Sequence, residues 1–186
     1  MTDDEDIPAD LSTLIRLGTI VSVTLDSPRC VVRYGDPDTD EECETPPIRW
    51  LAGRAGKTRN WSPPSEGEEV VILSPDGQIG NAVALLGLNN DSAPPPGNTP
   101  AEVVEYEDGA RVGYDPENHA LTAILPAGAT ATIDATGGIT IRGDVTIEGK
   151  LTASDDVIGG GKSLNAHIHG AVQSGQSTTS TPINQI

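Results

Sequence analysis

The sequence contains no phenylalanine, and its 186 residues include only two Trp and three Tyr. So few aromatic rings exclude the stacking platform with which proteins bind single-stranded nucleic acid. Basic residues are also scarce, because 11 Lys and Arg stand against 28 Asp and Glu, for a formal net charge of −17. Since phosphate binding needs clustered Lys and Arg, we expect no nucleic-acid partner.

Long apolar segments are missing as well. Nothing in the sequence approaches the roughly 18 apolar residues of a membrane span. The N-terminal residues Met1-Thr-Asp-Asp-Glu-Asp are acidic and do not resemble a signal peptide, and residues 1–10 are predicted to be a disordered acidic leader. The two cysteines, Cys30 and Cys43, are interpreted as buried or incidental thiols, with a disulfide left open.

What the sequence does contain is a long alternation of apolar and polar residues from Ile139 to Ser154. Such alternation places one set of side chains on the buried face of an extended chain. A six-residue repeat is superposed on it, since Ile139-Thr-Ile-Arg-Gly-Asp is followed by Val145-Thr-Ile-Glu-Gly-Lys. Short repeats of this kind indicate a β-helix in which each Gly allows a tight corner or a close backbone approach.

Burial of the alternating face requires more than one chain. Only about forty residues carry the repeat, enough for about two rungs of a single-chain solenoid whose rungs need about 20 residues or more. Three chains around a common axis triple the number of strands and close their edges. We therefore predict a homotrimeric, triple-stranded β-helix shaft over residues 101–162, with an ordinary β-sandwich fragment as the alternative.

The N-terminal half is predicted to be a small barrel. Five short strands are expected over residues 11–90, which suits a Greek-key barrel of the OB type. They are Ile15–Leu25, Cys30–Tyr34, Ile48–Leu51, Glu69–Leu73 and Ala82–Leu88. The acidic segment Asp36–Pro47 is predicted to be an exposed loop, and Ser74-Pro-Asp-Gly-Gln is predicted to be a hairpin turn.

The Pro-rich residues 91–100 read as a stiff linker between the barrel and the shaft. Beyond the linker, three strands with intervening turns are expected to lead into the six-residue repeats. They are Val103–Tyr106, Ala110–Tyr114 and Ala120–Leu125. Residues 163–186 then form the predicted apex. No helix is predicted anywhere, so the expected fold class is all-β.

The pair His167 and His169 is the candidate metal site. On an extended chain, residues two apart face the same way. Two imidazoles are too few for a firm site, but a three-fold axis would bring six nitrogens together in octahedral geometry. Imidazole suits iron, nickel, copper and zinc, and octahedral geometry disfavours zinc. Among the others we favour iron, in a structural role because a filled shell leaves no open position. A surface pair without metal is the alternative, and His119 is expected to be an exposed turn residue.

Several stretches resemble the baseplate assembly protein V, or central spike, family of contractile-tailed phages. In the barrel they are Gly18-Thr-Ile, Cys30-Val-Val-Arg-Tyr-Gly, Ile48-Arg-Trp-Leu-Ala-Gly-Arg-Ala-Gly, Trp61-Ser-Pro-Pro-Ser-Glu-Gly-Glu-Glu-Val and Ser74-Pro-Asp-Gly. At the other end they are His167-Ile-His-Gly and Gly175-Gln-Ser-Thr-Thr-Ser-Thr-Pro. The Trp, Pro-Pro and Gly-Glu run is the most specific of them.

The resemblance implies a structural virion protein at the tip of the tail baseplate, assembled in the host cytoplasm. In that family, a trimer with an OB-fold collar sits beneath a hub protein, and its apex holds iron through the two histidines of each chain. The spike is driven through the host outer membrane when the sheath contracts. Some relatives also bind calcium and chloride, for which no residue here is assigned. Trp50 and Trp61 are interpreted as barrel packing residues rather than hub contacts.

Two other functions remain as alternatives. An enzyme is not expected: a metallohydrolase would need Asp-His soon after His-x-His, and a β-helix lyase would need a longer shaft. A trimeric tail-fibre-like receptor-binding protein would share the shaft but lack the N-terminal barrel.

Overall fold

A computed structural model describes residues 11–36, 38–39 and 42–167. In chain order, its strands are β1 (Ile15–Thr24), β2 (Arg29–Tyr34), β3 (Cys43–Glu44), β4 (Arg49–Trp50), β5 (Glu69–Leu73), β6 (Val83–Leu88), β7 (Glu102–Glu105), β8 (Arg111–Asp115), β9 (Ala120–Ile124), β10 (Ile158–Gly159) and β11 (Lys162–Ser163). Short 3-10 turns occur at Leu11–Thr13, Pro75–Gly77 and Ile79–Asn81. Within these ranges there is no α-helix, so the all-β prediction is confirmed.

The chain divides into two compact units, Met1–Ala131 and Thr132–Ile186. In the first unit, six strands form one sheet in the order β3-β2-β1-β5-β6-β4. The long strand β1 pairs antiparallel with both β2 and β5, and β4 pairs parallel with β6. Cys30 and Ile48 exchange two backbone hydrogen bonds of 2.9 Å. This bridge joins β2 to the segment that enters β4, which closes the sheet into the small barrel that the sequence predicted.

The barrel interior is filled by small and β-branched side chains. The buried cluster consists of Ile20, Cys30, Val32, Ile48, Val70, Ile72, Ala82 and Ala84. Its members on β2 and β5 are spaced two apart, as expected for strands that bury one face. Burial raises the pKa of the Cys30 thiol, whereas Cys43 is exposed. Both are free thiols, in agreement with the interpretation from the sequence.

The segment Asp36–Pro47 differs from the prediction of an exposed loop. It contains β3, whose residues pair with Arg33 and Tyr34 of β2. It also contains Thr45, which is 4% exposed and exchanges two hydrogen bonds with Val32. The Val32 N–H donates to the Thr45 hydroxyl at 3.0 Å, and the Thr45 N–H donates to the Val32 carbonyl at 2.9 Å. The other described residues of the segment are exposed, as predicted. The pairing of β3 and the burial of Thr45 were not predicted, because acidic and Pro-rich composition does not reveal a distant partner strand.

A separate three-stranded antiparallel sheet follows, in the order β7-β8-β9. Its strands and both of its turns are those predicted from the sequence, to within one residue. Asp115 caps the second turn, and His119 lies exposed in that turn with a φ of 52°. Apolar side chains of this sheet are exposed on a single chain, including Leu121 at 78% and Ile124 at 61%.

Residues 132–157 make up most of the described part of the second unit and contain no strand. Their large apolar side chains all lie exposed: Ile133 77%, Ile139 57%, Ile141 69%, Val145 59%, Ile147 52%, Leu151 64% and Val157 41%. Gly143 and Gly149, six residues apart, adopt φ angles of 128° and 146°, which favour glycine. The predicted triple-stranded β-helix needs the strands of two further chains and stays a prediction.

Candidate functional site

A short hairpin lies near the C-terminal end of the described residues. In it, Ile158 pairs with Ser163 and Gly159 pairs with Lys162. The connecting residues Gly160 and Gly161 have φ angles of 58° and 76°, as a two-residue hairpin turn with two left-handed positions requires. This hairpin was not predicted from the sequence, although the three consecutive glycines between Ile158 and Lys162 indicate a tight turn.

The carboxylate of Asp156 holds the two ends of this hairpin together. Its Oδ1 atom accepts hydrogen bonds from the Val157 N–H at 2.8 Å and from the Asn165 N–H at 3.0 Å. A hydrogen bond from the Ser163 side chain and the one from Asn165 lower the pKa of Asp156 below its ordinary value. Ser163 Oγ also accepts from the Ala166 N–H at 2.7 Å. Polar contacts therefore organise this exposed segment.

His167 follows directly from this segment. Its Nδ1 lies 3.0 Å from the carbonyl oxygen of Leu164, whose own N–H donates to the Val157 carbonyl at 2.8 Å. Because a carbonyl oxygen can only accept, Nδ1 carries the hydrogen in this contact. In the neutral ring, Nε2 then carries the lone pair. Metal-bound histidines usually donate their other ring nitrogen to a carbonyl or carboxylate in this way, so the donor set fits a metal ligand.

The second predicted ligand, His169, lies outside the described residues. Among the residues that are described, no three His, Cys, Asp or Glu side chains come together as a metal site within one chain. One chain therefore presents a single oriented imidazole, His167, in the part of the apex that is described. The six-nitrogen site stays a prediction that depends on His169 and on further chains.

The two tryptophans lie at the barrel surface. Trp50 is half-buried and packs against the core, as the sequence analysis expected. Trp61 is 60% exposed, with its ring centroid 5.9 Å from that of Trp50 and the two planes tilted by 51°. Trp61 therefore contacts the barrel through the Trp50 ring but lies outside the core cluster, and its interpretation as a barrel packing residue is confirmed only in part.

Across the described ranges, no helix is long and apolar enough to cross a lipid bilayer.

The buried polar residues of the described ranges are Thr45, which is hydrogen-bonded to Val32, and Ser74, whose N–H donates to the Leu14 carbonyl at 2.8 Å. These hydrogen bonds to the backbone of neighbouring segments indicate structural roles.

Two comparisons with known proteins bear on these features. A family model described as the type VI secretion system/phage-baseplate injector OB domain matches residues 16–88, which span the barrel from β1 to β6. This match supports the predicted OB fold. The chain is also 35% identical over 137 residues to the spike protein of Escherichia phage P2, an alignment that covers 73% of this chain and 61% of that protein. The chain thus spans about three fifths of the length of this relative.

Proposed function

The chain belongs to the phage baseplate spike family, and from this premise we propose that it is the central spike of a contractile tail. Three copies form a needle that sits at the tip of the baseplate. When the sheath contracts, the needle is driven through the host outer membrane. The family is structural, which agrees with the expectation that the chain is not an enzyme.

The exposed apolar face of residues 132–157 is the observation that supports the trimeric shaft most strongly. The six large side chains from Ile133 to Leu151 are each more than half exposed on one chain. Burial of an Ile, Val or Leu side chain contributes about 1.5–3 kcal/mol, so association that covers this face is strongly favourable. The alternation and the regularly spaced Gly143 and Gly149 suit three chains wrapped around one axis.

An iron ion at the apex is the second part of the proposal. Six imidazoles, from His167 and His169 of each chain, would hold it. The hydrogen bond from His167 Nδ1 to the Leu164 carbonyl supports this, because it presents Nε2 as the donor atom. The metal would tie the three chains together near their ends, where fraying otherwise begins.

The barrel is the part that would attach the spike to the baseplate. The injector OB-domain match covers this barrel and favours the spike over a tail-fibre-like receptor binder, which would not need it. We propose that the barrels form a collar beneath a hub protein.

The intertwined strands of the proposed shaft unfold slowly because many hydrogen bonds must break together, which suits a part that must withstand compression.

Localisation of the chain on the virus particle tests this function. Electron microscopy of particles that carry a tagged chain would show the tag on the tail axis at the distal face of the baseplate. After sheath contraction in the presence of host cells, the C-terminal unit would lie beyond the outer membrane. A tag found on the side fibres would instead support the receptor-binding alternative. An untagged particle provides the control.

A further inference from the structure

One exposed segment of the barrel is basic, in contrast to the rest of this acidic chain. Residues 49–61, here named the basic arm, contain four of the 11 Lys and Arg residues and no Asp or Glu. The four cations are Arg49, Arg54, Lys57 and Arg59. In a chain with a net charge of −17, such a concentration marks a surface whose electrostatic potential differs from its surroundings.

The basic arm begins in β4, and its remaining residues are exposed and fixed by backbone hydrogen bonds. Its base is held by the Leu51 N–H, which donates to the Ala84 carbonyl of β6 at 2.9 Å. Its tip folds on itself, since the Asn60 N–H donates to the Arg54 carbonyl at 2.9 Å and Ala55 bridges to Arg59. The four cations are exposed, and none pairs with an acidic residue in the described ranges. The described part of the same chain therefore does not neutralise these charges.

A second segment of the same barrel has the opposite charge. Residues 36, 38–39 and 42–44, here named the acidic loop, contain four Asp and Glu residues and no cation. Arg33 contacts two of them, Glu42 at 3.7 Å and Glu44 at 3.1 Å. One Arg cannot neutralise four carboxylates, so the acidic loop keeps a net negative charge.

The two segments begin at opposite ends of β2. The acidic loop pairs through β3 with Arg33 and Tyr34, whereas the segment that enters the basic arm bridges to Cys30 through Ile48. The four steps along β2 from Cys30 to Tyr34 separate these attachment points by about 13 Å, at about 3.3 Å per residue. This exceeds the screening length of about 8 Å at physiological salt, so the two attachment points interact weakly within one chain.

We propose that the basic arm of one chain docks onto the acidic loop of a second copy of the chain. This inference rests on the trimer of the proposed function. A rotationally symmetric trimer uses two different, complementary surfaces on each chain, and the basic arm and acidic loop form such a pair. Trp61 and Leu51 are exposed at the base of the arm and supply apolar area beside the cations. Trp and Arg are the residues that most often dominate binding energy at interfaces.

The contact aligns the three barrels through charge complementarity, which fixes register and discourages wrong pairings.

A carbodiimide that joins amines directly to carboxylates provides a specific test, because Lys57 is the single lysine of the basic arm. After carbodiimide treatment, the full-length chain should be boiled in denaturant and separated on a gel. We expect bands at two and three times the mass of one chain. Mass spectrometry should identify an amide between Lys57 and a carboxylate of the acidic loop in these bands.

Lys57→Arg is the matched control, because it keeps the charge but removes the reactive amine. Bands that depend on Lys57 should disappear in this variant. A second variant, Arg54→Glu combined with Arg59→Glu, keeps Lys57 but reverses two of the neighbouring charges. It should also lose the bands, because the basic arm is then no longer complementary to the acidic loop.

Molar mass from light scattering on the same samples distinguishes the reasons for which the Lys57 linkage could be missing. A trimer whose chains are not joined through Lys57 and the acidic loop would overturn this inference and leave the proposed spike intact. A monomer would overturn both. A Lys57 linkage to a different protein in assembled particles, without linkage between chains, would overturn the inference in favour of another partner for the basic arm.

Discussion

Gly18 in β1 faces the backbone of β2 so closely that a side chain has no room. A Cβ atom at this position would lie 2.5 Å from the Arg33 carbonyl oxygen and 2.7 Å from Val32 Cγ1. We predict that Gly18→Ala lowers the free energy of unfolding by about 1–3 kcal/mol, the usual cost of overpacking. Urea denaturation measures this change. Gly56→Ala is the control, because nothing lies within 4 Å of that position, and equal effects would contradict the prediction.

Asp156 is the residue on which the order of the apical hairpin depends most directly. Asp156→Ala removes the acceptor of the Val157 and Asn165 N–H groups. We expect both amides to lose most of their protection in hydrogen exchange measured by NMR. Asp155→Ala removes a neighbouring exposed carboxylate and should leave their protection unchanged. Equal protection in the Asp156→Ala variant and the unaltered chain would contradict the assigned role.

At the scale of elements, the turn between β8 and β9 depends on an ionised carboxylate. Asp115 accepts hydrogen bonds from the Asn118 side chain at 2.7 Å and from the Glu117 and Asn118 N–H groups at 2.8 and 3.2 Å. These bonds, led by that of the Asn118 side chain, lower the pKa of Asp115 below its ordinary value. The stabilisation is therefore complete above the unfolded-state pKa of about 3.9 and is lost as the pH falls through the lower folded-state pKa.

We accordingly predict that the Glu117 and Asn118 amide resonances change with pH below the usual range for Asp, as followed by NMR. The midpoint of the change should lie below the ordinary pKa of an aspartate. In Asp115→Asn, the same amides should show no transition with this midpoint. A midpoint at or above the ordinary value would contradict the capping role.

The elements also show what the sequence can predict. Strands such as β1 and β5 were predicted because they are segments rich in Ile, Val and Leu with turn residues beside them. The two-residue strands β3 and β10 were not predicted, since their pairing depends on partner residues that lie elsewhere in the chain. For residues 132–157, the alternation indicates which face should be buried, but one chain contains no surface that buries it.

Candidate site residues were predictable to different degrees. The spacing of His167 and His169 is visible in the sequence, and it suggested the metal hypothesis. The contact between His167 Nδ1 and the Leu164 carbonyl was not visible, because it depends on how Asp156 and Ser163 fold the hairpin. The exposure of Trp61 was not predicted, because the sequence around it does not reveal that residues 51–63 all lie exposed.

At the scale of the whole molecule, the apex and the shaft are expected to contribute separately. His167→Ala removes a proposed metal ligand without altering the apolar face of residues 132–157. We predict that this variant stays trimeric but loses its iron, as measured by elemental analysis. His119→Ala, which alters an exposed turn residue, should keep both the trimer and the iron. Undiminished iron in the His167→Ala variant would contradict the proposed ligand set.

The central claim is a three-chain spike closed by one metal ion. Its most direct test is molar mass by light scattering together with metal content, both measured on the same purified sample of the full-length chain. We predict a mass of three chains and one iron per trimer. A mass of one chain, or a trimer without stoichiometric metal, would contradict this account.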